Sequence, residues 1–278
     1  MLPILHAKTQ TVNKDLIFLK LGGSLITDKT QPRTARPVVL SRLATEIANA
    51  CSQNFVQKLI IGHGAGSYGH VPASKYCTRQ GVHTPQEWMG FSEVWWEAYA
   101  LNRLVMDALH NSNLPVIALP PSTSVLAENG EVVAWNTSQI VAGLNAGLIP
   151  VIHGDVIFDT RRGGTILSTE DLFTYLARQL RPGRILLAGL EEGVWADYPT
   201  CTRLLNHITP ADLVDVAPAL RGSTATDVTG GMASKVHAMV NLANEIPGLE
   251  IMIFSGEKPG YVQEALCGKK IGTLLSGN

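Results

Sequence analysis

The 278-residue chain has only four cysteines, Cys51, Cys77, Cys201 and Cys267, and no C-x-x-C pair among them. Thiols scattered in this way support neither a zinc site nor a disulfide framework, and they fit a reducing cytosol. Long apolar runs are missing as well. Nothing approaches the roughly 18 consecutive residues needed to cross a bilayer, so no membrane partner is expected. Net charge is small: 22 Lys and Arg stand against 23 Asp and Glu, a formal value of -1. That balance offers no global basic surface to a nucleic acid, and it confines any anion site to a local one. The opening MLPILHAKTQTVNKD is too short and too polar for a secretory signal and reads as a loose lead-in to the first strand. There are no internal repeats, no low-complexity linker and no G-x-x-x-x-G-K-[ST] phosphate loop.

What is present is an ordinary globular composition, 45% hydrophobic and 16% charged, with 26 Gly and 15 Pro. The length supports one large domain or two lobes sharing a sheet. Short β-rich runs alternate with helical patterns. Leu16–Leu21, Lys58–Ile61, Pro115–Leu119, Ile149–Gly154, Arg184–Leu190 and Leu249–Phe254 read as strands. Ser41–Ala50, Asn136–Ala146, Thr169–Leu180, Met232–Glu245 and Tyr261–Leu266 read as helices, and Pro85–His110 as one long helix or two. Extended runs on either side of Arg161-Arg162-Gly163-Gly164 predict a hairpin. The alternation predicts an α/β fold with a mostly parallel sheet covered by helices. A soft boundary falls near Arg181-Pro182-Gly183, dividing 1–180 from 181–278.

The glycines gather in three loops: Lys20-Leu21-Gly22-Gly23-Ser24, Gly62–His70, and Thr229-Gly230-Gly231-Met232 with Lys235 just beyond. Backbone amides freed by glycine, next to a helix N-terminus, cradle anions. Each loop also has a lysine or a histidine nearby. Glycines can equally make nothing more than tight turns, but three such loops suggest a polyphosphate and a second phosphate held face to face. The second loop also matches two other patterns. Gly64–Gly69 fits the G-x-G-x-x-G of a dinucleotide-dependent oxidoreductase, although Pro72 follows almost at once and this strand is not the first βα unit. Ala65–Gly69 is one residue from the G-x-S-x-G of a hydrolase, whose acid and histidine would have to come late in the chain, where His207 and His237 have no distinctive setting.

With these loops in this order, the chain resembles the amino acid kinase family over nearly its whole length. The longer run Lys20–Lys29 (K-L-G-G-S-x-I-T-D-K) and Gly66-Ser67-Tyr68-Gly69-His70 are similar to the isopentenyl phosphate kinase branch of that family. So are His153-Gly154-Asp155 with Ser168 and Asp171, the run Asp227–Lys235, and the closing Ile271-Gly272-Thr273. The resemblance implies a three-layer αβα sandwich. It also implies an N-terminal lobe over 1–180 for the acceptor and for homodimer contacts, and a nucleotide lobe over 181–278. ATP with Mg2+ and isopentenyl phosphate are the implied small-molecule partners. Two segments depart from the pattern. Leu190–Asp197 reads LEEGVWAD where relatives often carry D-x-D-G-V-Y, and Ser168-Thr169-Glu170-Asp171 replaces S-G-D-D.

Phosphoryl transfer needs the reactants in line and positive charge around the transferred group. The resemblance assigns this work to Lys20 and Lys235, oriented by the carboxylate of Asp171. Nucleotide contacts are expected from Gly22, Gly23, Ser24, Lys29, Asp197, Gly230 and Gly231 as well as from the two lysines. Magnesium would bridge nucleotide oxygens with few protein ligands, so no protein metal site is expected. Acceptor contacts are expected from Gly64, Ala65, Gly66, Ser67, Gly69, His70 and Gly154. His70 narrows the substrate, because an acceptor phosphate gains from an imidazole donor near neutral pH. Kinase chemistry on another small phosphate or a fosfomycin-type phosphonate would use the same loop. Finally, Trp88, Phe91 and Trp95 recur at helical spacing. They read either as core or, for Trp88 and Trp95, as the wall of an apolar pocket for a short prenyl tail.

Overall fold

The computed structural model describes residues 11–214, 216 and 231–278. Its strands are, in chain order, β1 (Asn13–Leu21), β2 (Lys58–His63), β3 (Val116–Ala118), β4 (Val125–Glu128), β5 (Glu131–Trp135), β6 (Ile149–His153), β7 (Asp155–Asp159), β8 (Gly163–Leu167), β9 (Pro182–Gly189), β10 (Val194–Trp195), β11 (Leu204–Leu205), β12 (His207–Ile208), β13 (Glu250–Ser255) and β14 (Thr273–Leu275). The helices are α1 (Gly23–Ile26), α2 (Pro37–Ser52), α3 (Gly66–Tyr76), α4 (Pro85–Asn111), α5 (Ser138–Asn145), α6 (Thr169–Leu180), α7 (Gly231–Glu245) and α8 (Tyr261–Leu266).

Eight strands form the middle layer in the order β12-β14-β13-β9-β1-β2-β6-β3. Among the described strands of this sheet, only the β13–β14 pair is antiparallel. Strand β1 is central and buried on both faces, which is why its sequence is a nearly continuous apolar run. Side chains alternate across it. Leu16 and Phe18 join Leu172, Phe173 and Val236 in one core. Ile17, Leu19 and Leu21 join Leu43, Leu101 and Val262 in the other. The sheet is therefore the filling of an αβα sandwich, with α6 and α7 on one face and α2, α4 and α8 on the other. The same alternation sends Lys20 to the α6 face.

The expected hairpin is present. Strands β7 and β8 pair antiparallel, with Asp155 opposite Leu167. They belong to a four-stranded sheet, β5-β4-β7-β8, whose β4–β5 arm is not among the strands expected from the sequence. Residues 85–111 form one helix and not two. Thr84 and Glu87 close its start in a reciprocal capping box, and Gly90 inside it packs against Tyr76. The other addition is α3. Its glycines and Pro72 read as loop, yet Gly66, Ser67, Tyr68, Gly69, Pro72 and Ala73 are all buried. Tertiary packing overrides local propensity there.

Candidate active site

The first two glycine loops lie against each other. Gly64 N donates to Leu21 O at 3.1 Å. A Cβ on Gly23 would sit 2.4 Å from Gly66 N, so no larger residue fits without moving the second loop. Gly66 has φ +52 and faces Thr27, whose Oγ1 would lie 2.2 Å from an added Cβ. Close backbone approach and a left-handed turn thus account for these glycines. Between the loops and the start of α6, beyond the C-terminal ends of β1, β2, β6 and β9, opens a cavity of about 350 Å³. That is the usual place for a ligand in a parallel α/β sheet, and the volume suits a small organic ligand.

Most of the residues singled out in the sequence line this cavity. Lys20, Gly22, Gly23, Ser24 and Lys29 come from the first loop, Gly64, Ala65, Gly66, Gly69 and His70 from the second. Gly154, Gly231 and Lys235 complete the set. Gly230 lies outside the described residues.

The carboxylate that joins the two lysines is Glu170, not Asp171. Glu170 Oε1 forms an ion pair with Lys20 Nζ and lies 3.4 Å from Lys235 Nζ. Burial alone would raise the carboxyl of Glu170, but the charges of Lys20 and Lys235 outweigh it and bring it down to about 2. It is therefore ionised throughout the neutral range. Asp171 points elsewhere. Its Oδ2 accepts from Ser168 N and Ser168 Oγ, both at 2.8 Å, while Ser168 Oγ accepts from Asp171 N at 3.1 Å. It also pairs with Arg79 Nη2 at 3.4 Å. The helical phase explains the exchange of roles. Glu170 shares a stripe with the buried Phe173 and Ala177, at i+3 and i+7, and so faces the sheet. Asp171 lies beside that stripe.

Three other expectations change. Ser67 is buried and absent from the cavity wall. Its Oγ accepts from Thr34 N at 3.1 Å and its N–H donates to Thr27 Oγ1 at 2.9 Å. It ties the first loop to the second. Asp197 turns its carboxylate onto its own loop, where the Thr202 hydroxyl and the N–H groups of Arg203 and Thr202 hold its pKa down to about 2. Trp88 packs on Phe91 and Phe158, and Trp95 stacks on Tyr99, so neither lines the cavity. The apolar wall is built instead by Ala73, Val94, Ala98 and Ile166. Val94 and Ala98 are one helical turn apart on α4, in line with the buried Leu101 and Val105. That spacing, like the aromatic stripe beside it, is present in the sequence.

Behind the cavity, His63 and His153 are register partners on β2 and β6, and their rings stack at 5.3 Å. Burial, and for His63 the neighbouring imidazole as well, pushes both down to about 4, so both are neutral. Asp155 beside them is raised by burial to about 6, although Ser122 N and Val156 N donate to it. His63 also anchors α6: its carbonyl accepts from Thr169 Oγ1 at 2.6 Å and from Gly154 N at 3.1 Å. The position of Glu170 is thereby tied to the end of β2.

The model of the amino acid kinase family matches residues 15–255. The isopentenyl phosphate kinase of Methanocaldococcus jannaschii is 34% identical over 267 residues, covering 94% of this chain and 98% of that protein. That of Methanothermobacter thermautotrophicus is 33% identical over 274 residues, covering 94% and 99%. A solved X-ray structure of isopentenyl phosphate kinase superposes with a TM-score of 0.78 at 29% identity, covering 93% of this chain and 98% of that one. The span matched by the family model includes both lysines, the two abutting glycine loops and all of the central strands except β14 and the first residues of β1, and the chain belongs to the amino acid kinase family.

Proposed function

We propose that the protein transfers the γ-phosphoryl group of ATP to the phosphate of isopentenyl phosphate, giving isopentenyl diphosphate and ADP. The observation that carries the reading is the convergence of Lys20 and Lys235 on Glu170 in a cavity shared by His70 and an apolar wall. The names of the relatives support the same substrate.

In the step itself an oxygen of the acceptor phosphate attacks the γ-phosphorus, and the bond from that phosphorus to the ADP oxygen breaks. Lys20 and Lys235 stabilise charge on the transferred group, and Glu170 holds the two ammonium groups in place. The glycine amides and Lys29 hold the nucleotide phosphates. His70 donates to the acceptor phosphate, and Ala73, Val94, Ala98 and Ile166 exclude water around a short apolar tail. Magnesium would be carried by nucleotide oxygens, where it neutralises phosphate charge. The carboxylate nearest the lysines is already engaged by them, and among the described residues no cluster of three or more His, Cys, Asp or Glu forms a metal cage.

The same reading assigns the nucleotide to the side formed from residue 181 onward and the acceptor to 1–180. Glu191, Val194, Trp195 and Tyr198 line the cavity on the nucleotide side. It includes a homodimer through α4 and the edge strand β3, supported by the exposed Met89, Trp96, Tyr99 and Ile117; light scattering at micromolar concentration decides that point. A cytoplasmic location is part of it too, supported by four unpaired cysteines. Among the described residues no helix is long and apolar enough to cross a membrane. The test of the function is a phosphoryl-transfer assay over a panel of monophosphates and phosphonates. Isopentenyl phosphate should give the highest kcat/KM. A phosphonate turned over while isopentenyl phosphate is left intact would replace it as the acceptor.

A further inference from the structure

Arg79 carries no motif in the sequence, and the chemistry above does not use it. It lies just past the end of α3, and its backbone is fixed to the second sheet by Thr165 Oγ1, which donates to Arg79 O at 3.0 Å. Its side chain lines the cavity together with His70, Ala73, Ile166 and Ser168, the acceptor side of the proposed site. Nη2 meets Asp171 Oδ2 at a long 3.4 Å. Nη1 is buried and makes no hydrogen bond among the described residues. A buried guanidinium nitrogen without an acceptor is costly to leave unmade, and this one belongs to a residue on the wall of a ligand cavity.

Charge balance points the same way. Glu170 offsets one of the two lysine charges beside it. A monophosphate brings about -1.5 to -2 charges at neutral pH, and the nucleotide brings more. The acceptor phosphate therefore needs a cation beyond those that hold the transferred group. Arginine suits that role, because its planar fork can give one nitrogen to an anchoring carboxylate and others to phosphate oxygens.

We propose that Arg79 is a second acceptor-phosphate donor alongside His70, its partly exposed guanidinium turning about the long Asp171 contact to give a nitrogen to a phosphate oxygen, and that Asp171 is its positioning residue. This rests on the kinase reading above and deepens it. The Asp171 carboxylate then has two functions, capping α6 on one side and holding the guanidinium on the other.

The test is calorimetric titration of isopentenyl phosphate, and separately of ATP with magnesium, onto the full chain. Arg79→Ala should weaken isopentenyl phosphate by about 10- to 100-fold, the scale of a charge-assisted hydrogen bond. Arg79→Lys, which keeps the charge without the fork, should fall between wild type and Ala. Asp171→Asn should shift acceptor affinity in the same direction by less. ATP affinity should stay within twofold in all three, which a role confined to folding would not produce. An Arg79→Ala protein that binds isopentenyl phosphate within twofold of wild type overturns the proposal. So does a parallel fall in acceptor and ATP affinity. The function is judged separately, by turnover of the wild type. Wild type that binds isopentenyl phosphate and transfers nothing to it overturns the kinase reading while the titration still decides Arg79; wild type that does not bind it overturns both.

Discussion

Lys20 and Lys235, on β1 and α7 at opposite ends of the sequence, place their ammonium groups against the same oxygen, Oε1 of Glu170. One carboxylate thus sets the distance between the two cations proposed to flank the transferred phosphoryl group. Glu170→Gln keeps the shape and removes the charge. The two ammonium groups then repel each other, and turnover should fall at least tenfold, with a smaller change in ATP affinity. Asp171→Asn should leave turnover at saturating acceptor within about threefold of wild type, since among the described residues no lysine pairs with it. Steady-state kinetics of the pair check this. A silent Glu170→Gln beside a crippled Asp171→Asn would return the organising role to Asp171.

Lys20→Ala should reduce turnover by about 100- to 1,000-fold, the usual scale for removing a preorganised electrostatic donor. The sheet should survive, because the apolar residues of β1 on either side of Lys20, Leu16–Leu19 and Leu21, are untouched. Circular dichroism and thermal midpoint check the fold. Near-wild-type turnover would remove Lys20 from the mechanism.

The apolar wall and the aromatic stripe make opposite predictions. Val94→Ala should enlarge the cavity and raise kcat/KM for longer prenyl phosphates relative to isopentenyl phosphate. Trp88→Ala should cost about 3 kcal/mol of stability, the low end for a large aromatic removed from packing, and leave the preference among acceptors unchanged. Competition assays with acceptors of graded length decide between them. A shift in chain-length preference from Trp88→Ala alone would put the tail against the aromatic stripe.

Much of this was legible in the chain. Apolar runs and their spacing gave most of the strand and helix order, and the first two glycine loops marked residues that line the cavity. What escaped has a physical cause in each case. Ser168-Thr169-Glu170-Asp171 carries two adjacent acids, and only the phase of the helix, fixed by Phe173 and Ala177, tells which one faces the sheet. The α3 helix escaped because its glycines and Pro72 signal a loop, while its stability comes from burial against the rest of the fold. Arg79 gave no local signal, since its place on the cavity wall depends on strand β8 and helix α6 far along the chain.

The buried histidine pair sets an acid limit. His63 and His153 titrate near 4 in the folded protein, below the ordinary 6.5. On acidification the unfolded chain takes up protons first, so each withdraws stability as the pH falls from 6.5 towards 4. Asp155 titrates near 6, above the ordinary 3.8, and works the opposite way between pH 6 and 3.8. Two groups oppose one, so the net effect in the shared window is a loss of stability as the pH falls. His153→Phe keeps a ring against His63 and removes one titration, so the slope between pH 6 and 4.5 should flatten. Chemical denaturation at several pH values measures it; an unchanged slope would contradict the neutral buried pair.

In the proposed reaction the phosphate of isopentenyl phosphate is the acceptor and meets His70 in the cavity. The most direct measurement is steady-state kinetics of wild type, His70→Ala and His70→Gln with isopentenyl phosphate and ATP. His70→Ala should lower kcat/KM for the acceptor by about 100-fold, the scale of one lost donor to developing phosphate charge, and His70→Gln should fall between it and wild type. The KM for ATP should stay within twofold in both. A His70→Ala enzyme with unchanged turnover and unchanged acceptor KM would contradict the account.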